Sequence, residues 1–306
     1  MRSKSDRGDE VAVAVSDVVH AARIPFGDNL AAHRGGAMAH KLLFEGEENT
    51  PDNYAWVLAD ESSTYLSPRH RHAWDQVRFC LEGAVPLGKA LTLEAGEVGY
   101  FPEGVAYGPQ AGGPDRLVLV LQFGGASGQG YLSAAQLRAA HAALGQEGVF
   151  ENGVFRRTRG EGQANLDAYE ALWRWTTGRP IAYPRPRYKG PLVVRPENFS
   201  WWDEPGATGV RRRSLAFIPE RGLALDMLAL EPEAAVAFAQ SHARRLAFVR
   251  RGEGRCDHHP YETHTAVRIE PGVGACFTAS AASELFVIEI APVRIAPPAR
   301  SVSSPA

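Results

Sequence analysis

The chain has 306 residues, with 33 basic and 35 acidic side chains and a formal net charge of −2. A near-neutral chain has no electrostatic footprint for nucleic acid or an anionic membrane surface, and 44% hydrophobic with 22% charged residues excludes wholesale disorder. Its 31 glycines and 21 prolines exceed the usual share of about 12% and call for many turns, which favours an all-β chain.

The N-terminus, MRSKSDRGDE, is charged, and the apolar run after it, residues 11–15, is five residues long. A secretory signal needs about 7–15 apolar residues and a spanning helix about 20. Neither occurs, so a cytoplasmic protein without a leader is expected. The three cysteines, Cys80, Cys256 and Cys276, are far apart with no CxxC pair, which fits a reducing compartment. Short runs of strand character begin near residue 36: 38–44 (MAHKLLF), 54–59 (YAWVLA), 64–66, 76–81 (QVRFCL), 88–93, 97–101 and 117–123 (LVLVLQF). Turn residues separate them, as in a sandwich or barrel of antiparallel strands.

Residues 126–178 change character. Ser133 is placed to cap an Ala-rich amphipathic helix ending at Gly145, and 165–176 reads as a second helix stopped by Gly178. Residues 179–198 hold five prolines, a stiff extended connector. Strand runs return at 210–218, 223–230, 234–239, 246–250, 265–269, 274–277 and 285–290. Segment 77–83 (VRFCLEG) matches 247–254 (AFVRRGEG) in position, and 93–104 (LEAGEVGYFPEG) matches 269–280 (IEPGVGACFTAS). The reading is a diverged internal duplication. It gives an N-terminal arm at 1–29, a first barrel at 30–125, a helical and Pro-rich connector at 126–189, a second barrel at 190–296 and a tail at 297–306.

The chemistry concentrates in PRHRHAWDQVRFCLEG, residues 68–83. On a strand, i and i+2 share a face, so His70 and His72 aim two imidazoles at one point. Gln76, opening the next strand, brings a third ligand. Arg78, two residues on, shares the face of Gln76 and is placed to orient a carboxylate.

These residues resemble the cupin superfamily. Its first motif is HxH, three or four residues, Glu, six residues, Gly; here His70-x-His72, Gln76 and Gly83 keep the spacing. Its second motif is Gly, five residues, Pro-x-Gly, two residues, His; here Gly96, Pro102-Glu103-Gly104 and Tyr107 keep it too. Two ligand identities have changed, Glu to Gln76 and His to Tyr107. Gln keeps a carbonyl oxygen that ligates but loses the charge. Tyr107 either ligates as a phenolate or stands back and hydrogen-bonds a metal-bound water or substrate. The resemblance implies an all-β protein of two cupin-type β-barrels or jelly rolls with a short helical insert. It implies a divalent transition metal at His70, His72, Gln76 and Tyr107, Fe(II) first, with Mn(II), Ni(II) or Zn(II) as alternatives. Dioxygenase chemistry on a small anionic or chelating metabolite leads, with Tyr107 and Arg78 as catalytic candidates. The alternatives are a cupin isomerase or lyase, or a non-catalytic small-molecule-binding bicupin.

In the second half the motif positions fall on Ala239, Ser241, Arg245, Thr278, Ser280 and Ser283, so this half is expected to hold no metal. His258, His259, Glu262 and His264 in HHPYETH read as a solvated hairpin. His33 and His40 precede the barrel and read as ordinary histidines. The arginines at 211–213, 244–245 and 250–251 read mostly as solvated edges. Trp173, Trp175, Trp201 and Trp202 are expected to pack the halves together, and some of Trp74, Phe79 and Tyr100 to line the first barrel. The apolar strand 117–123 needs cover, which suggests a homodimer.

Overall fold

The computed structural model describes residues 17–27, 31–61, 64–89 and 91–293; the apolar run 11–15 and the tail 297–306 lie outside them. Two antiparallel β-barrels dominate. The first is built on a six-stranded sheet in the order Leu192–Val194, Val98–Phe101, Asp75–Glu82, Leu117–Phe123, Tyr54–Glu61, Met38–Glu45. Short paired strands close it: His70–Arg71 with Ala106–Tyr107, Leu66–Ser67 with Gln110–Ala111, and Ala84–Pro86 with Thr92–Glu94. The second barrel packs a seven-stranded sheet on a four-stranded one.

Alternation along the strands sorts the side chains. On Leu117–Phe123, Val118 and Val120 point into the first barrel, while Leu119, Leu121 and Phe123 point out. On Asp75–Glu82, Val77 and Phe79 point out. The outward set meets Leu225, Phe248, Phe286 and Ile288 of the second sheet in one continuous core; the Phe79 and Phe286 rings lie 4.8 Å apart. Phe79 and Tyr100 therefore belong to the inter-barrel core rather than the first barrel's lining. The strand that suggested a homodimer is covered by the chain's own second half and no longer argues for one.

The two large sheets share one strand order. Arg244–Arg251 takes the place of Asp75–Glu82, and Ser283–Ile290 that of Leu117–Phe123. Thr265–Ile269 pairs beside Arg244–Arg251 as Val98–Phe101 pairs beside Asp75–Glu82. The equivalence of 93–104 with 269–280 thus runs one strand late, because Ala275–Ala279 lies in the smaller sheet. Two strands also cross the expected division. Leu192–Val194 pairs with Val98–Phe101 in the first sheet, and Asp17–His20 pairs with Thr265–Ile269 in the second.

The insert carries helices Ala134–Leu144 and Ala168–Thr177. Ser133 and Gln136 form a reciprocal capping box, and Asp167 accepts from the backbone N–H groups of Tyr169 and Glu170. The second helix starts later than expected because residues 165–167 pair as a strand in a small sheet with Gly148–Glu151 and Val154–Arg157. Trp173 is buried in the insert's own core, Trp201 packs partly buried against the inter-barrel core, and Trp175 and Trp202 are exposed. In the connector, Arg187 bonds Glu103 of the first half at 2.8 Å and Glu220 of the second at 3.2 Å. Among the described residues no helix is long and apolar enough to cross a membrane.

Candidate functional site

A cavity of about 80 Å³ opens inside the first barrel. The same alternation that turns Val77 and Phe79 outward turns Gln76 and Arg78 into it. His70 stands directly across a two-strand ladder from Tyr107, and His72 follows it on the same side. All five sequence candidates, His70, His72, Gln76, Arg78 and Tyr107, line this cavity.

Four of them share one atom. The Tyr107 hydroxyl lies 3.2 Å from His70 Nε2, 3.4 Å from His72 Nε2 and 3.3 Å from Gln76 Nε2, which donates to it. His70 Nδ1 is 2.7 Å from the Pro68 carbonyl. A carbonyl only accepts, so Nδ1 carries the ring proton and Nε2 presents a lone pair. His72 stacks flat on Trp74, with ring centroids 4.3 Å apart and planes 6° from parallel, and its Nδ1 is buried with no hydrogen-bond partner. Burial, with the nearby Arg34, pushes His70 down to about 3. Burial followed by the proximity of His70 pushes His72 well below the usual histidine range. Both rings are neutral at pH 7. Burial raises Tyr107 above the ordinary phenol, against the pull of Arg78.

The donor set fits a divalent metal in two respects. Ligand atoms about 2.0–2.1 Å from a tetrahedral metal lie about 3.3 Å from one another, which matches the three distances to the phenol. The phenol also has one proton for two imidazoles, and His72 Nδ1 is left without a partner. Gln76 adds a condition. Its Oε1 accepts from Gln122 Nε2 at 2.8 Å, and Gln122 Oε1 accepts from the Tyr131 hydroxyl at 2.5 Å. Turning both amides over keeps the same heavy-atom positions and swings the Gln76 oxygen toward the histidines. Among the described residues no group of three or more His, Cys, Asp or Glu side chains could hold a metal ion. Any metal here relies on the amide and the phenol.

Beside this cluster lies an underused guanidinium. Arg78 is 6% exposed, and its Nε and Nη1 have no hydrogen-bond partner. Its Nη2 reaches Gln110 Oε1 at 3.4 Å. Its nearest carboxylate oxygen, Glu61 Oε1, is 3.8 Å away, and Glu61 is shared with Arg116 at 3.7 Å. Two arginines share one carboxylate, so the cavity wall carries an excess of positive charge.

Sequence reasoning missed much of the remaining lining: Arg34, Glu61, Gln122, Tyr131 and Tyr169, with His33 and His40 read as ordinary histidines. Gln122 carried a signal, being the one polar residue at an inward position of LVLVLQF. Arg34 and His33 come from the 31–37 loop, Tyr131 and Tyr169 from the insert, and no periodicity ties these segments to the barrel mouth. Tyr131 and Tyr169 pack on Trp74 with centroids 5.2 and 4.4 Å away. The second barrel is filled instead by Leu228, Val236, Phe238, Val249, Phe277, Leu285 and their neighbours. His264 stacks on Phe248 and Glu262 faces His20, so HHPYETH does not converge on a point.

No family model and no curated protein matches the chain. Solved structures do match in shape. A candidate dioxygenase from Nostoc punctiforme aligns over 92% of this chain and 85% of its own, with TM-score 0.56 and 11% identity. A variant of the oxalate decarboxylase of Bacillus subtilis aligns over 90% and 77%, with TM-score 0.53 and 14% identity. Another oxalate decarboxylase structure aligns over 92% and 79%, with TM-score 0.53 and 13% identity. At such identities the likeness establishes the fold, a two-cupin jelly roll, and the fold leaves the reaction open.

Proposed function

We propose that this two-cupin chain is a metal-dependent enzyme acting on a small anionic or chelating metabolite in the first barrel. The observation that carries the reading is the pair of neutral imidazole Nε2 atoms facing one phenol oxygen, beside a buried guanidinium with two unpartnered N–H groups. His70, His72, Gln76 and Tyr107 would hold the metal. Fe(II) would supply O₂ activation, and Mn(II), Ni(II) or Zn(II) would supply Lewis-acid polarisation. Dioxygenase chemistry is our first reading, with a lyase or isomerase as the alternative of the same class. The names carried by the similar structures, a candidate dioxygenase and an oxalate decarboxylase, support that range.

The protein's own residues set the substrate's charge. With Tyr107 a neutral phenol, His70, His72 and Gln76 leave a divalent metal its full charge, and Arg78 adds to it. A carboxylate or enediolate answers both: one end chelates, and the other accepts from an N–H of Arg78, whose Nε and Nη1 have no hydrogen-bond partner. Trp74, Tyr131 and Tyr169 add packed aromatic rings to the cavity wall. The three cysteines form no disulfide, and a reducing cytoplasm remains our reading for location.

A non-catalytic binding protein is the second reading, favoured by the Gln76 oxygen already satisfied by Gln122. The test is a panel of small mono- and dicarboxylates and neutral polyols offered to protein loaded with Fe(II) or Mn(II). Oxygen uptake or carbon dioxide release with a carboxylate, lost in His70→Ala and Arg78→Gln, supports the enzyme. Saturable carboxylate binding without turnover supports the binder. Binding of polyols alone removes the anion argument.

A further inference from the structure

A second cluster of arginines lies outside the first barrel. Strand Val210–Ile218 carries Arg211, Arg212 and Arg213 in succession. Arg212 is fully matched, bonded to both oxygens of Glu204 at 2.6 and 2.8 Å and to Asp226 at 2.9 Å. Its neighbours face the other way, and among the described residues neither Arg211 nor Arg213 makes an ion pair or side-chain hydrogen bond. The Arg213 guanidinium lies over the Trp201 ring at 4.3 Å, with that of Arg211 at 5.9 Å, and the Arg213 Nε is buried without a partner.

The sheet register gathers more positive charge there. Arg211 stands opposite Ala229, Ala229 opposite Glu284, and Glu284 opposite Arg251. Glu284 is 6% exposed and already paired with both Arg250 and Arg251. Its single negative charge is therefore already shared by two guanidiniums. The small side chain of Ala229 leaves a gap in this row, and a cleft of about 350 Å³ opens over it, walled on the far side by Pro196, Trp201 and Gly96. Gly96 belongs to the first half, so the cleft lies at the junction of the barrels. Glu197 adds one exposed carboxylate at the rim.

Four guanidiniums stand against two carboxylates, one of them already shared by Arg250 and Arg251, so the cleft carries a net positive charge. We propose that this cleft binds a phosphate group, free or as the phosphomonoester of a small metabolite. A phosphate offers three outward oxygens to guanidiniums approaching from several strands, whereas a carboxylate offers two in one plane. Arg213, held flat by Trp201, supplies the fixed fork. Arg211, Arg250 and Arg251 close from the cleft's other sides.

The test is isothermal titration of the full chain with inorganic phosphate, glycerol phosphate and citrate at low ionic strength. The background is metal-stripped Arg78→Gln protein, which takes both the metal and the unpartnered guanidinium out of the first barrel and keeps the two sites separable. Saturable phosphate binding is expected, weakened about tenfold or more by Arg211→Gln with Arg213→Gln. Arg213→Lys keeps the charge but loses the fork, and should weaken binding as well without disturbing the fold. Tighter glycerol phosphate than inorganic phosphate would identify an ester as the ligand, and the reverse would identify the free ion. Citrate preferred over both phosphates would overturn the assignment. So would phosphate binding unchanged in Arg211→Gln with Arg213→Gln, or no saturable binding in a background whose thermal unfolding matches the parent.

Discussion

Acid should loosen this fold through histidines that cannot take up protons. His33, His70 and His72 line the cavity. Burial is the leading cause that lowers each, assisted by Arg34 at His33, by Arg34 at His70 and by His70 at His72. A base whose folded pKa is depressed leaves the folded state short of protons relative to the unfolded chain. Stability is then fully present above about 6.5 and is lost as pH falls below it. Between pH 7 and pH 5 each such histidine costs about 2 kcal/mol, about 6 kcal/mol for three. Asp75 works in the opposite direction. Burial pushes it up to about 6, against the Glu103 N–H that bonds it, so the folded state gains a proton there as pH falls. That offsets about 1 kcal/mol over the same interval, leaving a net loss of about 4–5 kcal/mol. Urea denaturation of metal-stripped protein at pH 7, 6 and 5 measures it directly. His33→Gln, at a position outside the proposed ligand set, should flatten the dependence by about 2 kcal/mol. Unfolding free energies level within about 1 kcal/mol from pH 7 to pH 5 would refute the claim that these imidazoles are held neutral.

The packing and the site give further expectations. Phe79→Ala empties the centre of the inter-barrel core, where Phe79 is 0% exposed, and should cost about 3–5 kcal/mol in urea denaturation; a loss below about 1 kcal/mol would mean the two sheets do not depend on each other there. Gly104→Ala places a Cβ at a backbone φ of +78° and 2.4 Å from the Pro184 carbonyl. The connector must shift, and a drop in melting temperature with faster proteolysis at 179–191 is the expected readout. Gln76→Glu should keep or tighten the metal and weaken anionic ligands, because one unit of site charge is cancelled; titration with small carboxylates that finds equal or tighter binding would show that site charge does not select the ligand.

Much of this was legible in the chain because two periodicities were strong. The run LVLVLQF alternates without a break, and the same phase on Asp75–Glu82 puts Gln76 and Arg78 on the inner face. The motif spacing located His70, His72 and Tyr107 around one point although two ligand identities had changed, since spacing follows the backbone ladder and identity does not. The helix caps at Ser133 and Gly178 were local chemistry and could be read locally. The small sheet at 148–167 was hidden by short strands, although Asn152-Gly153 carries a hairpin signal, with φ of +50° and +80°. Arg34, Tyr131 and Tyr169 were beyond reach because loops and a helix from distant segments bring them to the barrel mouth. The pairing of Leu192–Val194 with the first sheet and Asp17–His20 with the second was equally hidden. A strand of three or four residues reveals its partner only in the folded register.

The central claim, that the first barrel is a metal centre, is tested most directly by the metal content of the full chain. Protein purified without added metal should carry close to one equivalent of a divalent transition metal by plasma mass spectrometry. His70→Ala combined with His72→Ala should reduce it to background while thermal unfolding stays cooperative. An empty wild type that also fails to take up Fe(II), Mn(II), Ni(II) or Zn(II) on reconstitution would contradict the account. So would a metal content unchanged in the double variant.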